Sequence, residues 1–311
     1  MLKYSQRWIF DGATTMSEFE KVIKGRQCLL VTEVPMPLVM FFGLCNSPTT
    51  FQTMMKDIFH DIPAVIVYIN DILIFTKTEQ GYDEIIMEVL YRLKENDLFV
   101  KPEKCFFKVR EVEMLSLIIG PDGIKMDPKE FEAIMAWPVP TKIKEVQLFL
   151  GLANFYRCFV NSFSKVAKPL HELIHKDKEW NWTEKCQTTF EKLKNLFISQ
   201  PVLAIVDTMK LLYIEPDASK YATGAVLLML LKNGKWHPCA YLSKGFNDME
   251  CNYDVHDKEM MGIICTLEAW CHYLEECKHK IEIWTDHQNL EYFISAKKLN
   301  RQQAQWALYL S

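Results

Sequence analysis

Residues 210–242 read KLLYIEPDASKYATGAVLLMLLKNGKWHPCAYL, and they carry the strongest strand pattern in the C-terminal third of the chain. Apolar runs at 210–215, 225–230 and 238–242 are separated by polar breaks. The dipeptide Asn233-Gly234, between the second and third runs, favours a two-residue hairpin turn. The stretch therefore predicts three successive strands.

A helix and a fourth strand are predicted after these three strands. Between Val255 and Glu276, apolar residues recur in steps of three and four, which predicts one buried helical face. Residues 280–285 return to a strand pattern, and residues 288–293 again look helical. The order predicts an α/β (α+β) domain with a mixed sheet flanked by helices. The predicted buried face consists of Met260, Ile264, Leu267, Cys271 and Leu274.

Three acids occupy the ends of these predicted elements. Asp217 ends the first strand, Glu259 lies early in the helix, and Asp286 ends the fourth strand. Carboxylates that lie close together repel one another, so such a group is stabilised by divalent cations, and Mg²⁺ prefers oxygen ligands. Two such ions can activate a water and stabilise the leaving oxygen of a phosphodiester. Acids are also common at turns, so spacing alone leaves open that each one merely caps or solvates its element.

Composition limits the class of protein. The 311 residues are 49% hydrophobic, which predicts about two globular domains with cores of their own. The 36 Lys and Arg against 40 Asp and Glu argue against a protein that coats nucleic acid with its whole surface. No apolar run is long enough to cross a bilayer, so we expect no membrane partner and an intracellular, cytoplasmic or nuclear location. Ten cysteines without a Cys-x-x-Cys pair favour reduced thiols.

Upstream, the pattern is mixed. Residues 64–68 and 72–75 are apolar runs around Asn70-Asp71, which predicts a hairpin whose turn uses the tolerance of Asn for positive φ. A helix is predicted over residues 79–96. Residues 105–109 and 113–119 are predicted to be two further strands, and helices are expected to dominate residues 129–197.

The last third resembles the ribonuclease H region of gypsy-type (Metaviridae-like) LTR retrotransposon Pol polyproteins. The motifs that carry this resemblance are Asp217-Ala218-Ser219, Gly224-Ala225-Val226-Leu227, Trp236-His237-Pro238, Asn252-Tyr253, Lys258-Glu259 and Thr285-Asp286-His287.

Further motifs resemble the reverse transcriptase of the same family, in the family's order. They are Phe42-Gly43-Leu44-Cys45-Asn46-Ser47-Pro48, Thr50-Phe51-Gln52, Tyr68-Ile69-Asn70-Asp71-Ile72-Leu73 and Phe149-Leu150-Gly151-Leu152-Ala153-Asn154-Phe155-Tyr156-Arg157. The resemblance implies four parts. These are a divergent segment (1–38), partial fingers and palm (39–122), a helical thumb or connection (123–203) and a ribonuclease H-like domain truncated at its C-terminus (204–311).

The resemblance implies RNA-directed DNA synthesis and Mg²⁺-dependent cleavage of RNA in RNA–DNA hybrids, with Mn²⁺ as an alternative ion. Asp217, Glu259 and Asp286 match three of the family's four acidic metal ligands. Asp217 would bridge two ions, and the other two acids would complete their coordination. The fourth acid is expected in a segment that would follow Ser311.

For the polymerase, the resemblance implies the loss of an essential charge. The family carries Tyr-x-Asp-Asp in the palm hairpin, and here Asn70 replaces the first acid, which leaves Asp71 as the anionic ligand. No segment in residues 1–40 has the form of the family's upstream Asp motif. We therefore predict that polymerase activity is lost, with dNTP as a partner only if it survives. Residues expected to contact nucleotide or nucleic acid are Phe42, Gly43, Tyr68 and Arg157.

Basic residues supply a predicted local grip on primer–template or hybrid, although for any one Lys a solvated surface is the simpler interpretation. One set clusters near the pair of strands predicted at residues 105–109 and 113–119, a hairpin expected to grip the primer, and the other lies in the thumb-like helices beside Tyr156 and Phe159. The two sets are Arg92, Lys94, Lys101, Lys104, Lys108 and Arg110, and Arg157, Lys165 and Lys168.

Two alternatives compete with the nuclease. His171-Glu172-x-x-His175 matches the His-Glu-x-x-His motif of zinc metalloproteases, with Glu184 or Glu191 available as a third ligand. The family's Pro-Leu-His-x-Leu-Leu segment accounts for the same residues without a metal. The second alternative is a catalytically inactive relic that binds nucleic acid or protein, which the loss of the acid at Asn70 supports.

Overall fold

The computed structural model describes residues 4–9, 28–29, 36–37, 46–76, 78–175, 178–199, 201–285, 299 and 301–310. Helices and sheets are mixed, as predicted. The chain divides into two compact units, Met1–Asp122 and Gly123–Ser311. None of the helices in the described part of the chain is long and apolar enough to cross a membrane.

The first unit contains a three-stranded antiparallel sheet in the order β1-β5-β4, with helices packed against it. Phe51, Met55 and Phe59 recur every four residues on α1 and are buried against strand β5 and helix α2. The elements of this unit are β1 (Tyr4–Ile9), β2 (Cys28–Leu29), β3 (Met36–Pro37), α1 (Ser47–Phe59), β4 (Val65–Tyr68), β5 (Asp71–Thr76), α2 (Glu79–Glu95), β6 (Val112–Met114) and β7 (Leu117–Gly120).

Three local predictions for this unit are wrong. Residues 105–109 form no strand, because Lys108 has φ +52° and its backbone N–H donates to the buried Tyr82 hydroxyl at 2.9 Å. The single strand predicted over residues 113–119 is a hairpin, β6–β7, that turns at Leu115 and Ser116 with φ of +53° and +58°. In the β4–β5 hairpin, the positive φ falls on Ile69, at +50°, rather than on Asn70.

The second unit begins with a short strand and four helices, which confirms the helices predicted between residues 129 and 197. The ring centres of Phe149 and Phe190 lie 4.6 Å apart in the core of this helical part. Tyr156, Leu170 and Leu193 are also buried there. The elements are β8 (Gly123–Met126), α3 (Pro128–Met135), α4 (Ile143–Phe155), α5 (Phe163–Leu173) and α6 (Glu184–Ile198).

A four-stranded sheet completes the second unit. Its elements are β9 (Leu212–Ala218), β10 (Ala222–Leu230), β11 (Trp236–Gly245), α7 (Val255–Leu274), β12 (Glu282–Ile283) and α8 (Arg301–Leu310).

The strand order is β11-β10-β9-β12, with β12 parallel to β9 and the other pairs antiparallel, so the mixed sheet is confirmed. The β10–β11 hairpin turns at the predicted place, but not through a two-residue turn: residues 231–235 lie between the strands, the Gly234 N–H donates to the Leu231 carbonyl at 3.0 Å, and of the Asn-Gly pair only Gly234 has a positive φ, +72°. Leu212, Ile214 and Leu227 share a buried cluster with Trp270 of α7.

Some predictions for this domain need correction. The fourth strand is shorter than predicted, and Cys271, predicted to lie on the buried face of α7, is exposed. The helix predicted over residues 288–293 lies outside the described residues, and α8 was not predicted. Eight cysteines, from Cys105 to Cys277, are free thiols.

Candidate nuclease and polymerase sites

Asp217 lies at the end of β9, one residue before the strand stops. Its side chain is exposed, and the residue pairs with Gly224 of the neighbouring strand β10. The hydroxyl of Thr223 donates to the backbone carbonyl of Asp217 at 3.2 Å. The end of β9 is thereby fixed to β10 where Asp217 projects toward solvent.

Glu259 lies in the second turn of α7 and is 2% exposed. One helical turn later, Gly262 approaches β10 so closely that an added Cβ would lie 2.6 Å from the Oγ1 atom of Thr223. The same Thr223 hydroxyl bonds to Asp217. The helix that carries Glu259 and the strand that carries Asp217 therefore meet at one end of the sheet, through Thr223.

Asp286 lies outside the described residues, so its position is still a prediction. The preceding strand is described: β12 runs parallel to β9, Ile283 pairs with Ile214, and the Trp284 N–H donates to the Ile214 carbonyl at 2.8 Å. Along the chain, Asp286 comes three residues after Ile283, and Asp217 comes three residues after Ile214.

Thr223 and Gly262 were missed by the sequence reasoning. Thr223 directly precedes the motif Gly224-Ala225-Val226-Leu227. Nothing in that motif indicates that Thr223 contacts a helix almost forty residues later in the chain. The signal that was available is the small residue at position 262, inside a helix otherwise lined with large apolar residues. A glycine in a helix interior is destabilising by itself, so it indicates a close approach by another element.

The hairpin of β4 and β5, which we predict to be the palm hairpin, is held at its turn by a side chain of α1. The Gln52 side-chain amide nitrogen donates to the Val67 carbonyl in β4 at 3.0 Å, and its oxygen accepts from the N–H of Ile69, the first residue of the turn. Asp71 is half-buried and begins β5 opposite Tyr68, rather than lying in the turn itself as predicted. Tyr68 is 49% exposed. Phe42 and Gly43 lie outside the described residues.

Several of the predicted basic contacts have structural partners instead. Arg92 forms ion pairs with Asp61 and Glu88, and its hydrogen bond holds the pKa of Asp61 down to about 2. Lys108 lies 3.1 Å from a carboxylate oxygen of Asp83. Lys168 lies 3.0 Å from the centre of the Tyr221 ring. These contacts hold elements of each unit together.

Arg157 is exposed, and its guanidinium donates to the Asn154 side chain at 3.3 Å. It remains available to a ligand, whereas the neighbouring Tyr156 and Phe159 are buried in the helical core. The aromatic residues predicted to accompany Arg157 in the grip are therefore core residues.

An exposed face of α4 was not predicted. Gln147, Gly151 and Phe155 are spaced by four residues and all are exposed, and Leu148 beside them is 64% exposed. Nothing lies within 4 Å of the position where a Gly151 Cβ would be. We name these four residues the α4 face. It is an exposed surface whose flat centre is Gly151, which has no side chain, and it precedes Arg157 in the chain.

The metalloprotease alternative finds no support among the described residues. Within them, the one group of three possible metal ligands whose atoms lie within 4.8 Å of one another is Asp254, His256 and Asp257 at the start of α7. His171 and His175 do not belong to such a group with Glu184 or Glu191. Glu172 lies 3.6 Å from Lys168, and Glu191 accepts a bond from Gln187.

Two protein families match the chain. A family described as reverse transcriptase (RNA-dependent DNA polymerase) matches residues 10–119, and one described as an RNase H-like domain found in reverse transcriptase matches residues 182–283. The Tf2-3 and Tf2-7 transposon polyproteins of Schizosaccharomyces pombe are 34% identical over 277 residues, which is 88% of this chain and 21% of each polyprotein. The chain therefore spans about one fifth of the length of these relatives.

Solved structures share the fold. The foamy viral protease-reverse transcriptase dRH in complex with double-stranded DNA superposes with a TM-score of 0.78 at 24% identity, over 99% of this chain and 55% of that one. The foamy viral protease-reverse transcriptase in complex with an RNA/DNA hybrid gives 0.77 at 24% identity, over 99% of this chain and 43% of that one.

Proposed function

This chain belongs to the reverse transcriptase and ribonuclease H region of gypsy-type retrotransposon polyproteins, and we propose that its ribonuclease H-like domain cleaves the RNA strand of RNA–DNA hybrids. One observation carries the proposal. Thr223 joins the strand end that holds Asp217 to the helix that holds Glu259. The elements that carry Asp217 and Glu259, two residues 42 positions apart in sequence, thereby meet at one end of the sheet.

The donor set fits divalent magnesium. Asp217 and Glu259 offer hard carboxylate oxygens, and the exposure of Asp217 leaves room for the water ligands that Mg²⁺ retains. When bound, Mg²⁺ or Mn²⁺ would supply activation of water and stabilisation of the leaving oxygen. Asp286 is the proposed third ligand, because Asp286 and Asp217 each come three residues after the paired residues Ile283 and Ile214.

The chain's own residues have distinct proposed roles. Asp217 and Glu259 hold the ions and position the scissile phosphate. Thr223 orients the strand end through the Asp217 carbonyl. Arg157 and the α4 face bind the duplex, the guanidinium at a phosphate and the flat centre at Gly151 against the sugar surface, because a glycine lets a backbone approach closely.

Polymerase activity is not part of the proposal. The palm hairpin retains its shape and Asp71, yet the amide of Asn70 brings no negative charge to a metal site. We therefore propose neither dNTP binding nor primer extension. The second candidate function is binding of nucleic acid without cleavage, which the open α4 face favours.

The test is cleavage of a hybrid whose RNA strand is labelled, with Mg²⁺ or Mn²⁺. The unmodified chain is expected to cut the RNA, and Asp217→Asn and Glu259→Gln are each expected to slow cutting by about 100-fold or more, since each removes a ligand charge. Glu268→Gln, an exposed acid on the same helix α7, is the matched control. Hybrid binding without any cutting at any concentration of either ion would replace the nuclease by the binding function.

A further inference from the structure

Three aromatic rings lie together on the ribonuclease H-like sheet, away from Asp217. Trp284 stacks on Tyr213 with the ring centres 4.8 Å apart, and Trp236 meets the same tyrosine edge-on at 4.3 Å. Tyr213 is buried between them, while Trp236 and Trp284 are 37% and 52% exposed. We name these three residues the aromatic surface.

The strand register shows which side of the sheet this is. Leu212 and Ile214 pack with α7, so Tyr213 between them faces the opposite side. Trp236 pairs with Leu230, and Glu282, two residues before Trp284, pairs with Tyr213. The aromatic surface therefore lies on the sheet face that α7 does not cover.

The charges on this face have one sign. Among the described residues of the four strands, register and alternation place only Glu215, Asp217 and Glu282 as charged residues on it. Lys244 lies on the other side, where its ammonium contacts Cys265 of α7. The strands thus contribute aromatic and acidic side chains to this face, and the exposed Lys235 and Lys280 lie at its edge, beside Trp236 and Glu282 in the chain.

Two of these carboxylates are fixed beside the rings. The Tyr213 hydroxyl donates to Glu215 at 3.0 Å, and the Trp284 indole N–H donates to Glu282 at 2.8 Å. Burial and the hydrogen bond to Glu215 raise the pKa of Tyr213 to about 12, so the phenol keeps its proton. Both carboxylates are exposed and retain oxygens that can accept further hydrogen bonds.

This combination selects among possible ligands. Exposed aromatic rings can stack nucleic-acid bases, but a strand threaded across this face would bring its phosphates against Glu215 and Glu282. A guanidinium gains from both features, because it stacks on an indole and its fork of N–H groups matches a carboxylate. Charge complementarity therefore favours a cationic protein segment over nucleic acid.

We propose that the aromatic surface is a docking site for an arginine-bearing peptide segment of a protein partner. An arginine stacks on Trp284 and donates to Glu282, and apolar side chains of the segment cover Trp236. The site is separate from Asp217 by about 13 Å of strand, at roughly 3.3 Å per residue over the four residues from Tyr213. It does not depend on whether the nuclease is active.

The test is selection from a random-peptide library on the full chain, followed by fluorescence anisotropy with the enriched peptides. Arginine-containing peptides are expected, and Trp284→Leu and Glu282→Gln are each expected to weaken their binding by at least about 10-fold. Phe106→Leu and Glu103→Gln, exposed residues of the first unit, are the matched controls. Thermal denaturation identifies a variant that has simply unfolded, and Glu282→Gln, an exposed and isosteric change, keeps the test decisive.

Three outcomes would overturn the proposal. The first is enrichment of no peptide, of acidic peptides, or of peptides whose binding ignores both substitutions. The second is binding of a single-stranded oligothymidylate that depends on Trp284. The third is self-association of the chain that Trp284→Leu abolishes, since the occupant would then be a second copy.

Discussion

The hairpin of β4 and β5 and the ribonuclease H-like sheet differ in which of the predicted metal ligands they contain. In the hairpin, Gln52 holds the turn through two hydrogen bonds to backbone atoms, while Asn70 occupies the position of an acid. In the sheet, the acids Asp217 and Glu259 are present, and Thr223 links the elements that carry them. Backbone bonds can preserve the shape of a site after its charge is lost. A scaffold is therefore weak evidence for activity unless the charged groups are also in place.

The largest expected change in stability comes from a substitution at the contact between α7 and β10. Gly262→Ala places a methyl group against the Thr223 hydroxyl, so we expect a loss of about 1–3 kcal/mol in the free energy of unfolding. Cleavage should also fall, because Glu259 shifts relative to Asp217. Urea denaturation and the hybrid assay measure the two effects.

A double-mutant cycle sharpens that result. Thr223→Ala removes the atom nearest the added methyl, so the pair Gly262→Ala with Thr223→Ala should be more stable than the sum of the single changes predicts. Strict additivity would show that this contact does not position the helix.

The second prediction separates shape from charge in the palm. Gln52→Ala leaves the Val67 carbonyl and the Ile69 N–H without their side-chain partner, which should reduce the free energy of unfolding by about 1–2 kcal/mol. Asn70→Asp leaves these bonds intact and should change it by less than about 0.5 kcal/mol.

Primer extension then completes the palm comparison. We expect neither variant to extend a primer, because residues 1–40 contain no segment with the form of the upstream Asp motif that the resemblance implies. Primer extension by Asn70→Asp would show that a negative charge at position 70 is the one feature that the polymerase site lacks.

The third prediction separates binding from folding on α4. Replacing Gly151 by Ala adds a methyl group where nothing lies within 4 Å, so helix stability should rise by about 1 kcal/mol. If the α4 face binds the duplex, the same change weakens hybrid binding, because the methyl group keeps the backbone away. Thermal denaturation and electrophoretic mobility shifts with a hybrid give the two readouts. Gain of stability with unchanged binding would exclude Gly151 from the interface.

The smallest expected effect concerns an acid with a structural role. Arg92 lowers the pKa of Asp61 from 3.8 to about 2, so this pair contributes stability above about pH 4 and loses it as the pH falls toward 2. Asp61→Asn removes that contribution, and the stability difference between the two proteins should shrink over the same range. Urea midpoints between pH 5 and pH 2 would test this. A difference that is constant with pH would mean that the ion pair does not stabilise the fold.

Local patterns were read correctly where neighbouring residues decide the conformation. The helix predicted over residues 79–96, which ends at Glu95, the helices between 129 and 197 and the position of the hairpin turn at Asn233-Gly234 match the structure. The family and its two domains also followed from motifs in order. The predictions were wrong where residues distant in the sequence fix the backbone conformation. Ile69 has the positive φ because Gln52 accepts a hydrogen bond from its N–H. Lys108 departs from the strand conformation because its N–H donates to the Tyr82 hydroxyl.

The chemical groups can be read directly from the amino-acid sequence: an amide at position 70, carboxylates at 217 and 259, and the alternation that forms the sheet. Which of these groups come into contact depends on the folded chain. Thr223 connects Asp217 with the helix of Glu259, Arg92 is engaged by Asp61, and three aromatic residues from separate strands form one surface. The physical reason is that such contacts depend on strand register and helix packing, which are set by burial summed over the whole core rather than by any local segment.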